Sequence, residues 1–161
     1  MTANIKLILI SLVLMPPLNF SLFAQTKTAL KITAVRAQLF YDTKGTFSSD
    51  VLAKKDFAFW NTIIGKGDAG FPSSSTFVTV EVSGTDHKGD LPKVELTATG
   101  NKGKLLLKKM IDVDLLGRTQ FYAPFWLYNT GCEPIKLSAR LIGKNVSAKS
   151  LIKTIPFACG E

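Results

Sequence analysis

Residues 76–83 read TFVTVEVS, a stretch in which apolar and polar side chains alternate. Alternation with a period of two is typical of a β-strand that packs one face against a core. Residues 93–99, KVELTAT, repeat the pattern, and the connection 100–103, GNKG, leads into another strand-like run, 104–114. These last two runs therefore predict a β-hairpin with a four-residue connection.

Further strands are predicted on both sides of this region. Residues 30–40 form a long alternating run whose apolar positions change parity, and this change predicts a bulge near Ala34. Toward the C-terminus, residues 119–128, 135–142 and 150–157 continue the series. The sequence thus predicts strands along most of its length.

The segments between the strands carry little helical signal. Residues 57–60 are a short apolar run, and residues 61–75 form a loop rich in Gly and Ser. A helical turn is predicted only around residues 49–55, since no stretch keeps a 3.6-residue apolar period. We therefore predict an all-β fold, an immunoglobulin-like two-sheet β-sandwich of seven to eight strands with one disulfide. A closed β-barrel is the alternative.

The N-terminus has the features of an export signal. Lys6 precedes the apolar run 7–15, LILISLVLM, and Ala24-Gln25 offers a cleavage bond. Pro and Asn residues interrupt this segment well short of the roughly 20 apolar residues that a bilayer span needs. We expect a signal peptide at 1–24 and a single β-sandwich domain at 25–161, with no transmembrane span in the mature chain. An uncleaved N-terminal anchor is the alternative.

Both cysteines of the chain, Cys132 and Cys159, fall in the mature part. In an oxidising compartment such a pair in a small β domain is usually bonded. The bond would hold the C-terminal strand, which would otherwise fray.

The formal net charge is +8 at neutral pH. A basic exported protein favours anionic partners, although a lysine-rich surface also serves ordinary solubility. The partner is unknown from sequence, with an anionic envelope component, a glycan or another envelope protein as candidates. Nucleic acid is disfavoured, because basic and aromatic residues are not interleaved.

The stretch 121–128, FYAPFWLY, is a candidate ligand platform. Alternation places Tyr122, Trp126 and Tyr128 on the face opposite the core, with Trp60 nearby. This face either is an exposed platform that stacks on sugar rings or contacts a partner, or lies beneath the 61–75 loop. Pro124 cannot donate a ladder hydrogen bond, so the strand should lie at an edge or bulge there.

Lysines on the predicted hairpin form a candidate anion patch. They are Lys93, Lys102, Lys104, Lys108 and Lys109. Such a patch can contact phosphate or sulfate, but lysines on sheet edges also deter sheet-to-sheet association.

The sequence contains no arrangement that predicts catalysis, a metal or a cofactor. His87, the only histidine, lies in a polar connection rather than beside a nucleophile. The G-x-G-x-x-G pattern at 65–70 is followed by Phe-Pro instead of a helix. Asp112 and Asp114 share one face at a strand end, but the other loop aspartates are too scattered to predict calcium.

We therefore expect an exported, non-catalytic β-sandwich that acts as a binding or accessory module at the cell envelope. One alternative is a carbohydrate-binding module that uses the aromatic strand face. A second is a small secreted hydrolase whose site lies in the 61–75 loop.

Overall fold

The computed structural model describes most of the predicted domain. The described ranges are 29–55, 57–61, 67–85 and 89–160, with the backbone alone at 58–61 and 160. The predicted signal peptide at 1–24 lies outside them, and the domain boundary at residue 25 stays a prediction. Within the described ranges, no helix combines the length and apolar character needed to cross a bilayer.

The described chain consists mainly of β-strands, which we number in chain order. They are β1 (Lys31–Tyr41), β2 (Thr46–Phe47), β3 (Ala58–Asn61), β4 (Ser75–Ser83), β5 (Lys93–Thr99), β6 (Leu105–Asp112), β7 (Gln120–Tyr128), β8 (Ile135–Ile142), β9 (Leu151–Ile155) and β10 (Ala158–Gly160). Two 3₁₀ turns, Val51–Ala53 and Asn101–Gly103, are the helical structure of the described residues. The first lies in the segment where a helical turn was predicted.

Two four-stranded antiparallel sheets form the domain. The first sheet has the order β2-β1-β4-β7, and the second has the order β6-β5-β8-β9. Strands β1, β4 and β7 correspond to A, B and E of the immunoglobulin fold, while β5, β6, β8 and β9 correspond to C, C′, F and G. The predicted immunoglobulin-like sandwich is confirmed. The closed barrel is wrong, because both sheets are open at their ends.

A third, small sheet was not predicted. The strand predicted at 150–157 ends at Ile155, and the chain then pairs β10 in parallel with β3. In this ladder Cys159 lies opposite Trp60. Both strands are short and irregular, so their sequences carry little period-two signal.

Local features follow from the residues that form them. The ladder between β1 and β4 shifts register between Ile32 and Ala34, which confirms the predicted bulge. The predicted hairpin joins β5 to β6. Asp50 caps the first 3₁₀ turn, since its Oδ1 accepts the N–H of Leu52 at 3.0 Å. The same oxygen accepts the N–H of Ala37 at 3.0 Å, which joins the turn to β1.

The core lies between the inner faces of the two sheets. Its largest fully buried side chains include Leu39, Leu96, Phe125, Leu137 and Phe157. On the edge strands of the second sheet, Lys109 lies opposite Leu96 and Lys153 lies opposite Leu137. Opposed residues share a face, so both lysines lie on the core-facing side at a sheet edge, where a charge prevents further strand pairing.

The disulfide joins Cys132, in the connection after β7, to Cys159 on β10. The two Cα atoms are 4.9 Å apart across a sequence separation of 27 residues. The predicted bond is therefore confirmed. Closing a loop of this length stabilises the fold by roughly 3–4 kcal/mol.

Candidate functional site

Strand β7 divides its side chains between the two faces of the first sheet. Ala123, Phe125 and Leu127 are buried in the core, whereas Tyr122 and Tyr128 are exposed on the outer face. This division is the one that the alternation predicts. β7 is also an edge strand, in agreement with the position of Pro124.

Five aromatic side chains meet on this outer face around Trp126. We call them the aromatic cluster: Phe40, Phe47, Phe77, Trp126 and Tyr128. The ring centroid of Trp126 lies 5.0 Å from that of Phe77 and 5.5 Å from that of Phe40. It lies 6.0 Å from the centroid of Phe47 and 6.3 Å from that of Tyr128. Trp126 thus contacts every other ring of the cluster.

The strand register brings these rings together. Phe77 on β4 lies directly opposite Trp126 on β7, and Phe40 on β1 lies opposite Phe47 on β2. Phe47 also contacts Phe40 and Phe77, at centroid distances of 5.2 Å and 5.3 Å. Cross-strand aromatic pairs each contribute roughly 0.2–1 kcal/mol to a sheet. Each strand of the first sheet supplies at least one ring to the aromatic cluster.

The aromatic cluster is partly open to solvent. Tyr128 is 67% exposed and Phe47 is 44% exposed, while Trp126 is half-buried among its neighbours. The ring planes of Trp126 and Tyr128 lie within 10° of parallel. The five side chains carry no formal charge, and the Tyr hydroxyl and the indole N–H are their hydrogen-bonding groups.

The loop before β4 is bonded to the backbone of β1 beside the aromatic cluster. Of the predicted loop 61–75, the structure describes the first residue and 67–75. The hydroxyl of Ser73 donates a hydrogen bond of 2.7 Å to the carbonyl oxygen of Phe40, which holds the loop end against β1. The exposure of Tyr128 shows that this arrangement leaves its ring open. The Trp60 side chain, predicted to lie nearby, is outside the described part of the chain.

Tyr122 lies apart from the aromatic cluster. It is opposite Glu81, at the other end of β7 from Tyr128, a separation of roughly 20 Å along an extended strand. Its hydroxyl donates to Oε1 of Gln120 at 3.1 Å, and Arg36 pairs with Glu81 at 3.2 Å. The structure therefore joins Trp126 and Tyr128 but does not join Tyr122 to them.

The lysines of the predicted anion patch spread over the hairpin. Lys102 lies in the turn at its tip and Lys104 directly follows that turn, whereas Lys93 is at the far end of β5 and pairs with Asp112 at 2.9 Å. Lys108 lies 3.8 Å from the buried carboxylate of Glu95, and Lys109 is on the core-facing side. These ammonium groups do not converge on one point.

Several groups considered for catalysis or metal binding serve local structure. Asp114 Oδ1 accepts the N–H of Leu116 at 3.1 Å. The Ser73 hydroxyl contacts two backbone carbonyl oxygens, those of Phe40 and Ser75. His87 is outside the described residues. In the described ranges, no group of three His, Cys, Asp or Glu side chains is arranged to hold a metal ion.

Sequence reasoning missed three members of the aromatic cluster, namely Phe40, Phe47 and Phe77. A signal was present for Phe77, since it stands at a position of 76–83 where the alternation calls for a polar side chain. An aromatic residue on the solvent side of a strand suggests a contact surface. The two-residue strand β2 gives no such signal for Phe47, because its pairing depends on tertiary structure.

The sequence matches no protein-family model and no curated protein. Among solved structures, a Bifidobacterium dentium β-glucuronidase complexed with coumarin-3-O-glucuronide has a TM-score of 0.41 and 10% identity, over 79% of this chain and 18% of that one. A Bacteroides fragilis protein assigned as a β-galactosidase has a TM-score of 0.36 and 16% identity, over 50% of this chain and 13% of that one. This chain spans less than a fifth of either structure. At these scores neither likeness bears on function.

Proposed function

We propose that this protein is an exported, non-catalytic binding module of the cell envelope that holds a neutral glycan on its aromatic cluster. The observation that carries the proposal is the position of Trp126 and Tyr128, two nearly parallel rings on an outer sheet face, with Tyr128 67% exposed. Aromatic faces pack against the apolar faces of sugar rings, and their polar edges reach the hydroxyl groups.

The composition of the aromatic cluster favours a neutral ligand. Its five members carry no charge, and the Arg36–Glu81 ion pair on the same face balances itself. Tyr and Trp combine an apolar face with a hydrogen-bonding edge, as a sugar ring does. A largely preformed, partly apolar surface with few polar groups is the usual character of a small-ligand site.

Two further parts of the proposal, export and the absence of catalysis, each have their own supporting observation. The Cys132–Cys159 bond fits an oxidising compartment. The hydroxyl of Ser73, in the loop before β4, is directed to backbone carbonyl oxygens rather than to a base.

Binding is tested with the exported protein, disulfide intact, against a panel of envelope and extracellular polysaccharides, followed by calorimetry on any that bind. Tyr128→Ala should lower affinity about tenfold, equivalent to about 1.4 kcal/mol, because it removes a ring that contacts ligand. Tyr122→Ala is the matched control, since it removes the same side chain from the same strand and should change affinity less than about twofold.

Three outcomes would contradict the proposal. Equal losses from the two tyrosine variants would move the site away from the aromatic cluster. Release of new reducing ends from a bound glycan would show that the protein is a hydrolase and not only a binding module. If no glycan binds and a photo-crosslinker at position 128 captures an envelope protein, the ligand is a protein.

A further inference from the structure

A groove that differs in chemistry from the aromatic cluster lies where the two sheets meet, between the start of β1 and the segment that enters β9. Its volume is about 300 Å³, and its walls include Lys31, Ile32, Ser147, Lys149 and Leu151. The groove is separate from the aromatic cluster and shares no residue with it.

Backbone hydrogen bonds fix the two walls relative to each other. The N–H of Leu30 donates to the carbonyl oxygen of Asn145 at 3.2 Å, and the N–H of Ser147 donates to that of Leu30 at 2.7 Å. Leu30 itself is buried in the core. The position of Lys31, which directly follows Leu30, and that of Ser147, which makes one of these bonds itself, are therefore set by the fold.

The groove is electropositive. Lys31 and Lys149 stand on opposite walls, and no carboxylate is among the lining residues. Within the described ranges, neither ammonium group takes part in an ion pair. Two unneutralised lysines close to one cavity create a local field that attracts anions.

One nearby carboxylate does not cancel this field. Glu81 reaches the groove through Thr33, whose hydroxyl donates to Glu81 Oε1 at 3.0 Å. The charge of Glu81 is offset by Arg36, whose Nη2 lies 3.2 Å from Oε2.

The groove also offers hydroxyl donors and an apolar wall. The oxygen of Ser147 accepts the N–H of Lys149 at 3.3 Å, which leaves the hydroxyl hydrogen free to donate. Ser150 also lines the groove. Ile32 and Leu151 provide apolar surface beside these polar groups. The volume exceeds that of a bare anion, so it accommodates an anion together with part of the group that carries it.

We propose that this groove binds a phosphate monoester carried on a small organic group. The ammonium groups of Lys31 and Lys149 bind the phosphate oxygens, the Ser147 hydroxyl donates to them, and Ile32 and Leu151 contact the carrier. Lysine suits this role because it binds phosphate as a point charge without the planar geometry that arginine imposes. The carrier is either a soluble ester or a lipid headgroup.

The proposal is tested by titrating glycerol 3-phosphate and inorganic phosphate into isotope-labelled, disulfide-bonded protein and following backbone amide shifts. Saturable shifts should centre on residues 31–33 and 147–151, with glycerol 3-phosphate binding more tightly than phosphate. The double variant Lys31→Gln, Lys149→Gln should weaken binding at least tenfold. Lys136→Gln removes one exposed charge from the outer face of the second sheet; it is the control for a lysine outside the groove and should change affinity less than twofold.

Vesicles distinguish the two carriers. Flotation with vesicles of phosphatidic acid in phosphatidylcholine, lost in the double variant, identifies a lipid source, whereas glycerol 3-phosphate binding without flotation identifies a soluble ester. The proposal is overturned if shifts are absent, are spread over all lysines, or weaken equally in Lys136→Gln. An unchanged amide spectrum in the absence of ligand confirms that each variant is folded. The two sites are tested separately because they share no residue. Glycan affinity, measured on the lysine variants and on Tyr128→Ala, reports on the aromatic cluster, and Tyr128→Ala leaves the groove intact.

Discussion

The outer faces of the two sheets differ in chemistry although both sheets cover the same core. The outer face of the first sheet presents the aromatic cluster, whose exposed rings make contacts chiefly with one another. The outer face of the second sheet carries charged side chains that largely form ion pairs with one another. There Glu95 accepts from Arg140 Nε at 2.7 Å and lies 3.8 Å from Lys108.

This difference between the two outer faces suggests that one face serves stability and the other serves recognition. A buried carboxylate with cations on either side has its hydrogen-bonding needs met within the protein. An exposed tyrosine beside a half-buried tryptophan leaves apolar surface and a hydroxyl available to a ligand. The second face therefore contributes to the fold, and the first face is the better candidate for contact.

The largest effect should come from breaking the disulfide, which lies near the aromatic end of the molecule. Replacing both cysteines, Cys132→Ser with Cys159→Ser, should lower the free energy of unfolding by about 3–4 kcal/mol. Cys132 follows β7, so native-state hydrogen exchange should accelerate first in β10, β3 and the end of β7. Exchange in β5 and β8 should change only by the global loss. If exchange instead accelerated uniformly across both sheets, the two sheets would not differ in local stability.

A smaller effect is expected from Trp126→Ala. Its ring contacts four others, but it is only half-buried. A fully buried Trp→Ala change costs about 3–5 kcal/mol, so about 2 kcal/mol is expected here by denaturant unfolding. Met110→Ala on the second outer face is a control for loss of an exposed apolar side chain and should cost less than about 0.5 kcal/mol. Equal losses would show that the aromatic cluster contributes no more than ordinary surface.

Much of the fold follows from the sequence, because one physical pattern recurs in it. Apart from Phe77, residues 76–83 alternate, as do residues 93–99, and both become strands whose other apolar side chains lie in the core. The change of parity near Ala34 becomes a bulge for the same reason. Strand β10 could not be predicted, since its pairing with β3 depends on a distant segment and a covalent bond.

The candidate site was only partly accessible from sequence. The alternation of 121–128 places Trp126 and Tyr128 on the outer face, but it places Tyr122 there equally well. Only the register tells them apart, because it sets Phe77 opposite Trp126 and Glu81 opposite Tyr122. The groove was not predicted at all, since Lys31 and Lys149 come to line it through the packing of the two sheets and not through any local motif.

The smallest effect tests the second face. Glu95→Gln keeps the side-chain volume and an acceptor for Arg140 but removes the charge. A hydrogen bond to a charged group contributes about twice as much as a neutral one, so the loss should be about 1 kcal/mol by denaturant unfolding. Asp112→Asn is the matched control, because it removes one charge from an exposed pair with Lys93 on the same face. That change should cost about 0–0.5 kcal/mol. If the second face serves stability alone, Glu95→Gln will leave glycan affinity unchanged while lowering stability. A change in glycan affinity without a change in stability would place recognition on the charged face. The two outer faces would then not divide stability and recognition between them.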